Sequence, residues 1–281
     1  MNTQKCTSTP PLRVLVACEY SGTVRDAFLA LGHDAISCDI LPTDVPGPHH
    51  AGDVSELLTQ EWDLLIAFPP CTYLCSSGMH WTVRGKRDPQ LTEDALEFVQ
   101  SLLGANVKHI ALENPVGCIS TRIRKPDCIV HPWQHGHPES KTTCLWLKNL
   151  PILTPTNIIQ KPANGRWENQ CANGSQNKLA PSPDRWKLRS KTYQGIANAM
   201  ASQWSAYASG SGTTFPNATA VGNHSASAMQ CTMETVLALA LTTQKSKGGN
   251  LKDIQTMERS TQFVHCPPGN TSILMKALAR R

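Results

Sequence analysis

What this chain lacks narrows its reading first. No apolar run approaches the roughly 18–20 residues that a membrane-spanning helix needs, so no span is expected. The opening residues, MNTQKCTSTPPLR, have no apolar core of the kind a secretory signal carries, which leads to the expectation of a cytoplasmic protein. No segment repeats. The 11 cysteines are odd in number and follow no recurring spacing, so free thiols are expected rather than a disulfide framework. The dinucleotide fingerprint, G-x-G-x-x-G after a strand, is absent. Charged residues are only 17% of the chain and the net charge is +5, a mild excess that suits a polyanionic partner without demanding one. At 281 residues the chain can bury a sizeable core in one or two domains.

What is present is an alternation of strand and helix patterns. RVLVAC (13–18) reads as a buried strand, EYSG (19–22) as a turn and 23–31 as a helix. HDAISCDI (33–40) is a second strand ending at Asp39, and a short helix is expected from Asp53, capped by Asp53 or Ser55. DLLIAF, from Asp63, is a third strand; residues 91–103 carry helical apolar spacing. KHIALEN (108–114) and TTCLWL (142–147) complete five strands. The pattern predicts an α/β fold, a mostly parallel sheet with helices on both faces. Residues 1–12 read as a flexible N-terminus, 151–190 as an irregular loop and 193–207 as a helix. Residues 208–281, rich in Ser, Gly, Thr, Ala and Asn, read as a flexible tail in which only 233–241 could form a helix.

Ligands of such sheets lie beyond the carboxyl ends of the strands. Glu19, Asp39, Cys71 and Glu113 all fall at or just after expected strand ends and could share one crevice. In LLIAFPPCTYLCSSGMHW, Pro69 and Pro70 stop the strand ladder and turn the chain outward at Cys71. Such a thiol is either a small buried filler or a nucleophile. The loop behind it, with Ser76, Ser77 and Gly78, can close over a substrate. Glu113-Asn114-Pro115 ends another strand, and a carboxylate there is costly if buried unpaired. A thiol and a carboxyl group together suit addition to a polarised ring: the thiol attacks carbon while the acid protonates a ring nitrogen. Asp39 stands where a ribose-binding acid would, or is a solvated loop residue. Asp53 is a ligand or only a helix cap.

A second cluster, CIVHPWQHGHPESKTTC, holds Cys128, His131, His135, His137 and Cys144. Its spacing matches none of the common zinc patterns, so no metal is expected. The basic groups Arg84-Lys86-Arg87, Arg122-Arg124-Lys125 and Arg185-Lys187-Arg189-Lys191 are solvated runs or phosphate contacts. Trp133 and Trp167 are core or stacking residues.

Taken in order, ACEYSG, CDI, GDV, PPCTYLCSSG, ENP and TYQGIANAM resemble the motifs of the cytosine-C5 DNA methyltransferases over about residues 13–207. The resemblance implies a Rossmann-like fold that uses S-adenosylmethionine. The cofactor would lie against Glu19, Tyr20, Ser21, Gly22, Asp39, Ile40, Asp53, Val54, Pro69, Asn198 and Ala199. Cys71 would add to cytosine C6 and Glu113 would contact N3, with Pro70, Ser77, Gly78, Asn114 and Thr142 against the substrate. The implied partner is double-stranded DNA with the target cytosine flipped out, at a few kcal/mol of unstacking. Several departures stand beside it. Glu19 and Tyr20 occupy a loop usually richer in glycine, Thr72 replaces the usual Gln, and Ala197 replaces the usual Gly before Asn198. No Gln-x-Arg-x-Arg motif is present; ESKTTCLWL stands in its place, so Lys141 or Thr142 would take part of the arginines' work. Only residues 151–190 are available for target recognition, which implies a context of two or three base pairs. The same chemistry on a free cytosine nucleotide, or a catalytically silent DNA-binding relative, are the alternatives these departures leave.

Overall fold

The computed structural model describes residues 10–170, 182 and 185–210. The elements run β1 (Arg13–Ala17), α1 (Thr23–Leu29), β2 (Asp34–Asp39), β3 (His49–Ala51), α2 (Ser55–Leu58), β4 (Leu64–Ala67), α3 (Ser76–Val83) and α4 (Gln90–Leu103). There follow β5 (His109–Asn114), α5 (Ile119–Arg122), β6 (Cys128–Val130), β7 (Thr143–Lys148), α6 (Arg185–Ser190) and α7 (Gln194–Ala208). Part of the expected loop, 171–181, lies outside the described residues, as do nearly all of the expected tail and its 233–241 stretch.

The seven strands form one sheet in the order β3-β2-β1-β4-β5-β7-β6. Neighbours from β3 to β5 are parallel, while β7 runs antiparallel to both β5 and β6. Central parallel strands are covered on both faces, so they are apolar throughout: LLIA of β4 is wholly buried, and β1 is buried after Arg13. The pleat divides each strand between two cores. Val14, Val16, Leu64, Ile66, Leu145 and Leu147 face α1 and α7, whose Phe28, Ile196, Met200 and Trp204 fill that side. Leu15, Ala17, Leu65, Ala67, Ile110, Leu112 and Trp146 face the other way. There Leu96, Val99 and Leu102 of α4, spaced along one helical stripe, cover them.

Four short elements were not expected from the sequence. β3 is His-His-Ala, without apolar alternation, and is a strand because it pairs with Ser37–Asp39 of β2. β6 is three residues long and joins the edge through β7. In α3 the sequence SSGMHWTV shows little amphipathic pattern and buries only Gly78. α5 is a single turn after Cys118. The 151–190 segment is also not uniformly irregular, since α6 lies within it. No helix among the described residues is long and apolar enough to cross a membrane, and the seven described cysteines are free.

This topology sets where chemistry can gather. The carboxyl ends of β1, β2, β4 and β5 fall on one edge of the sheet. Because β7 is antiparallel, its beginning comes to that same edge, with Cys144 opposite Asn114 and Leu145 opposite Glu113.

Candidate active site

The first group lies beyond β1 and β2. Glu19 is buried, and its carboxylate accepts the amides of Val24 (2.7 Å) and Arg25 (3.2 Å) and the Ser21 hydroxyl (3.2 Å). It fills the amino end of α1, where two orphan amides need an acceptor. Burial pushes its carboxyl up while these bonds hold it down. A dinucleotide would need that helix end for its pyrophosphate; a ligand without phosphate does not. Gly22 makes the turn in the left-handed region, φ 70°. Tyr20 is buried, and its hydroxyl donates to the Lys187 carbonyl (2.9 Å) and meets the Ser190 hydroxyl (3.0 Å), tying the β1–α1 turn to α6.

Asp39 ends β2 half-buried, its Oδ1 accepting the Leu41 amide. The Gly52 amide donates to the Asp39 carbonyl at 2.9 Å, and Asp53 Oδ1 accepts the Ser55 amide. Asp39 and Asp53 therefore belong to two turns joined side by side. Behind them Arg25 has no exposed surface. Its guanidinium pairs with Asp26 (2.8 Å) and donates to Ser37, Thr43 and the carbonyls of Pro46 and Pro48, fastening the 40–48 loop from beneath. Ile40 is exposed on that loop, whereas Val54 belongs to the core.

The second group lies beyond β4 and β5. Asn114, 1% exposed, donates its Nδ2 to the Pro69 carbonyl at 2.8 Å, and so fixes the proline turn to the end of β5. Its Oδ1 has no hydrogen-bond partner among the described residues. After Pro70, Cys71–Tyr73 form one 3₁₀ turn. The next residues are zipped to the chain following β5: Ser76 N to Val116 O (3.1 Å) and Cys118 N to Leu74 O (2.8 Å). Cys71 is half-buried and its carbonyl accepts the Cys75 amide at 2.9 Å. The neighbouring Cys75 thiol, burial and the charge of Glu113 push the Cys71 thiol up; the Lys141 charge pulls it down. Burial pushes the Glu113 carboxyl up, against the Lys141 ammonium and a hydrogen bond with the Thr143 side chain. Lys141 is held where α6 meets α7, its Nζ 3.4 Å from the Arg189 carbonyl and 5.9 Å from the centre of the Tyr193 ring.

Gly78 is required by proximity. A Cβ there would stand 2.0 Å from the Thr72 carbonyl oxygen. Gly78→Ala should therefore destabilise the fold by about 1–3 kcal/mol. Chemical denaturation would read this, and a variant as stable as the wild type would show that the turn can open freely.

Cys71, Glu113, Lys141, Asn114, Pro69, Pro70 and Gly78 thus surround one point of the sheet edge, with exposed Ser77 beside Cys75. Other expected residues are placed elsewhere. Thr142 is exposed, and the alternation of β7 turns Thr143 rather than Thr142 toward Glu113. Ala199 is sealed in the α1–α7 core. Asn198 is exposed on α7 and accepts a bond from Gln194. Thr143 and Cys75 were missed in the sequence. The C-x-x-x-C spacing was the available signal for Cys75, because residues four apart share a helical face.

The histidine cluster is used structurally. His137 accepts the Gly195 amide (3.0 Å), His135 meets Thr156 (3.1 Å), and His131, Trp133 and Trp167 stack in sequence. Among the described residues no three His, Cys, Asp or Glu side chains are placed to share a metal ion. Of the basic groups, Arg122 pairs with Glu93, Arg124 with Asp127, and Lys187 and Lys191 with Asp44. Arg87 donates to the Thr72 carbonyl, while Arg84 and Lys86 are exposed.

The sheet order, with its one antiparallel strand and helices on both faces, is the Rossmann-like fold of S-adenosylmethionine-dependent methyltransferases. Solved structures similar to it include the methyltransferase EhMeth of Entamoeba histolytica, with 16% identity over 53% of this chain and 58% of that one, TM-score 0.37. Another is the Dnmt2 methyltransferase of S. pombe, with 18% identity over 49% of each chain, TM-score 0.35. A third is the bifunctional kinase-methyltransferase WbdD, with 14% identity over 52% of this chain and 36% of that one, TM-score 0.31. This chain thus spans about half the length of EhMeth and of Dnmt2. No family model matches the sequence, and no curated protein matches it.

Proposed function

We propose that this protein methylates C5 of cytosine in DNA through a covalent bond between Cys71 and C6. The observation that carries this reading is the meeting of Cys71, Glu113 and Lys141 at the ends of adjacent strands, with the carboxyl held toward its protonated form by burial. Cytosine C5 is a poor nucleophile. Addition of the Cys71 sulfur to C6, with proton donation from Glu113 to N3, makes C5 enamine-like. Lys141 holds positive charge beside both groups. After C5 is methylated, loss of its proton expels the Cys71 thiolate, and Glu113 recovers the N3 proton.

S-adenosylmethionine, when bound, would supply the activated methyl group. The residues present fit it. The amino end of α1 is closed to phosphate by Glu19, as suits a cofactor without one, and Asp39 and Asp53 stand on joined turns at the β2 edge. Asp39 would hold the ribose hydroxyls and Asp53 the adenine amino group. Asp39→Ala should weaken cofactor binding by about 1.5–3 kcal/mol for each lost bond to the carboxylate. Calorimetry measures it, and unchanged affinity removes Asp39 from the site.

For DNA as the substrate, the support is the surface beside the thiol. Trp81 and Val83 of α3 are exposed, and Arg84 and Lys86 follow directly. Apolar groups next to cations suit an unstacked base and its phosphates. The deciding assay transfers labelled methyl groups to duplex DNA or to dCMP. Labelled DNA with 5-methylcytosine supports the reading; labelling of dCMP alone replaces DNA by the free nucleotide; no transfer to either defeats it.

A further inference from the structure

Residues 154–169 lie along the 133–140 loop and bond to it repeatedly. The Thr156 and Asn157 amides donate to the Gln134 carbonyl, each at 3.1 Å. The Ile159 amide donates to the Trp133 carbonyl at 2.8 Å, and the Glu168 amide to the Pro138 carbonyl at 3.1 Å. The Trp133 and Trp167 rings stack with their centres 5.8 Å apart and their planes 8° apart. This brace ends in Asn169, which is 6% exposed. The Asn169 Oδ1 accepts the Ser140 amide at 3.1 Å, and its Nδ2 donates to the Ser140 carbonyl at 2.8 Å. A side-chain amide carries an acceptor and donors together, so it can hold both backbone groups of one residue, as a neighbouring strand would.

Ser140 stands between two residues that are themselves held. Glu139 accepts the Tyr193 hydroxyl. Lys141 directs its Nζ to the Arg189 carbonyl at 3.4 Å and lies 5.9 Å from the centre of the Tyr193 ring. Two residues on, β7 begins, and it sets Cys144 opposite Asn114 at the carboxyl edge of β5. A lysine ammonium rides on a flexible four-carbon stem, and holding that stem still costs rotamer freedom. One long, exposed hydrogen bond and one ring contact oppose that cost weakly. The place of the ammonium therefore depends on the backbone that carries it. The buried amide of Asn169 fixes that backbone, because a buried polar group left without partners is costly and so keeps the partners it has. We infer that Asn169 is a positioning residue: through Ser140 it holds Lys141 at the carboxyl edge of the sheet, where the reaction proposed above uses the lysine's charge beside Cys71 and Glu113. Its catalytic consequence rests on that reading; the hold on Lys141 does not.

The test has two arms, both on the full chain. In the first, lysine isotopically labelled at its ε-carbon is observed by NMR without substrate, and Lys141 is assigned by its absence from Lys141→Met. In the wild type the Tyr193 ring should shift the Lys141 resonance away from that of exposed Lys86. In Asn169→Ala and in Asn169→Asp, Lys141 should move to the Lys86 position. The aspartate keeps the size of the side chain but loses the donor and sets an oxygen against the Ser140 carbonyl, so it serves if the alanine variant does not fold. In the second arm, kcat for methylation of duplex DNA should fall about tenfold to a hundredfold in both variants, with cofactor affinity unchanged by calorimetry. Added to Lys141→Met, Asn169→Ala should cost no further activity, whereas a merely structural loss would add in full. A wild-type Lys141 resonance at the Lys86 position, a resonance unmoved in both variants, or additive losses of activity would each overturn the inference. If the resonance moves as expected while the wild type transfers no methyl group to DNA, the hold on Lys141 stands and the cytosine reaction falls.

Discussion

Cys71→Ser is expected to abolish methyl transfer and the 5-fluorocytosine adduct while leaving cofactor affinity as it was. A serine hydroxyl fits the half-buried site but does not ionise near neutral pH, so it does not add to C6. Where a covalent nucleophile is removed, activity falls by about 10⁴-fold or more. The turns proposed to hold the cofactor lie beyond β1 and β2, and the Cys71 turn is anchored separately, through Asn114 to Pro69 and through Cys118 to Leu74. Calorimetry and labelled methyl transfer on the same preparation separate the two effects. Undiminished transfer by the serine variant would return Cys71 to a packing role.

Glu113→Gln should cost activity and add stability. Amide replacement removes the proton donor proposed for N3, and a general acid contributes about 10²–10⁴-fold. Burial raises the folded-state pKa of Glu113 above its unfolded value. Its favourable contribution to stability is therefore present below the unfolded pKa and is lost as pH rises through the folded one. Wild-type methylation that needs the protonated carboxyl should decline over the same rise, and the glutamine variant should lack that limb. At alkaline pH the variant, free of a buried charge, should melt above the wild type; at acid pH the two should agree. Thermal melts across pH check this. An alkaline melting temperature below the wild type would mean that Lys141 and Thr143 outweigh burial, and that Glu113 acts as a carboxylate.

Long, strongly patterned elements were legible from the sequence. VLVA and LLIA announce strands buried on both faces, and the stripe Leu96, Val99, Leu102 announces α4; boundaries fall within a residue or two. The gathering of Cys71 and Glu113 could also be foreseen, because parallel strands deliver their ends to one edge. What stayed hidden depends on pairing and approach. His49–Ala51 has no strand pattern of its own, and α3 exists because Gly78 lets it close on Thr72. The choice between Thr142 and Thr143 needed the register of β7 against β5, which one sequence does not specify. Glu19 read as a loop ligand because its real partners are amides, which composition cannot reveal.

The sheet ends on both sides in strands of three residues, His49–Ala51 and Cys128–Val130. An open edge offers its unpaired backbone groups to any passing strand, and short edges present few of them. This sheet is therefore a poor template for edge-to-edge growth. Short edges of this kind favour contacts between copies through helices and loops over a sheet continued from one copy to the next.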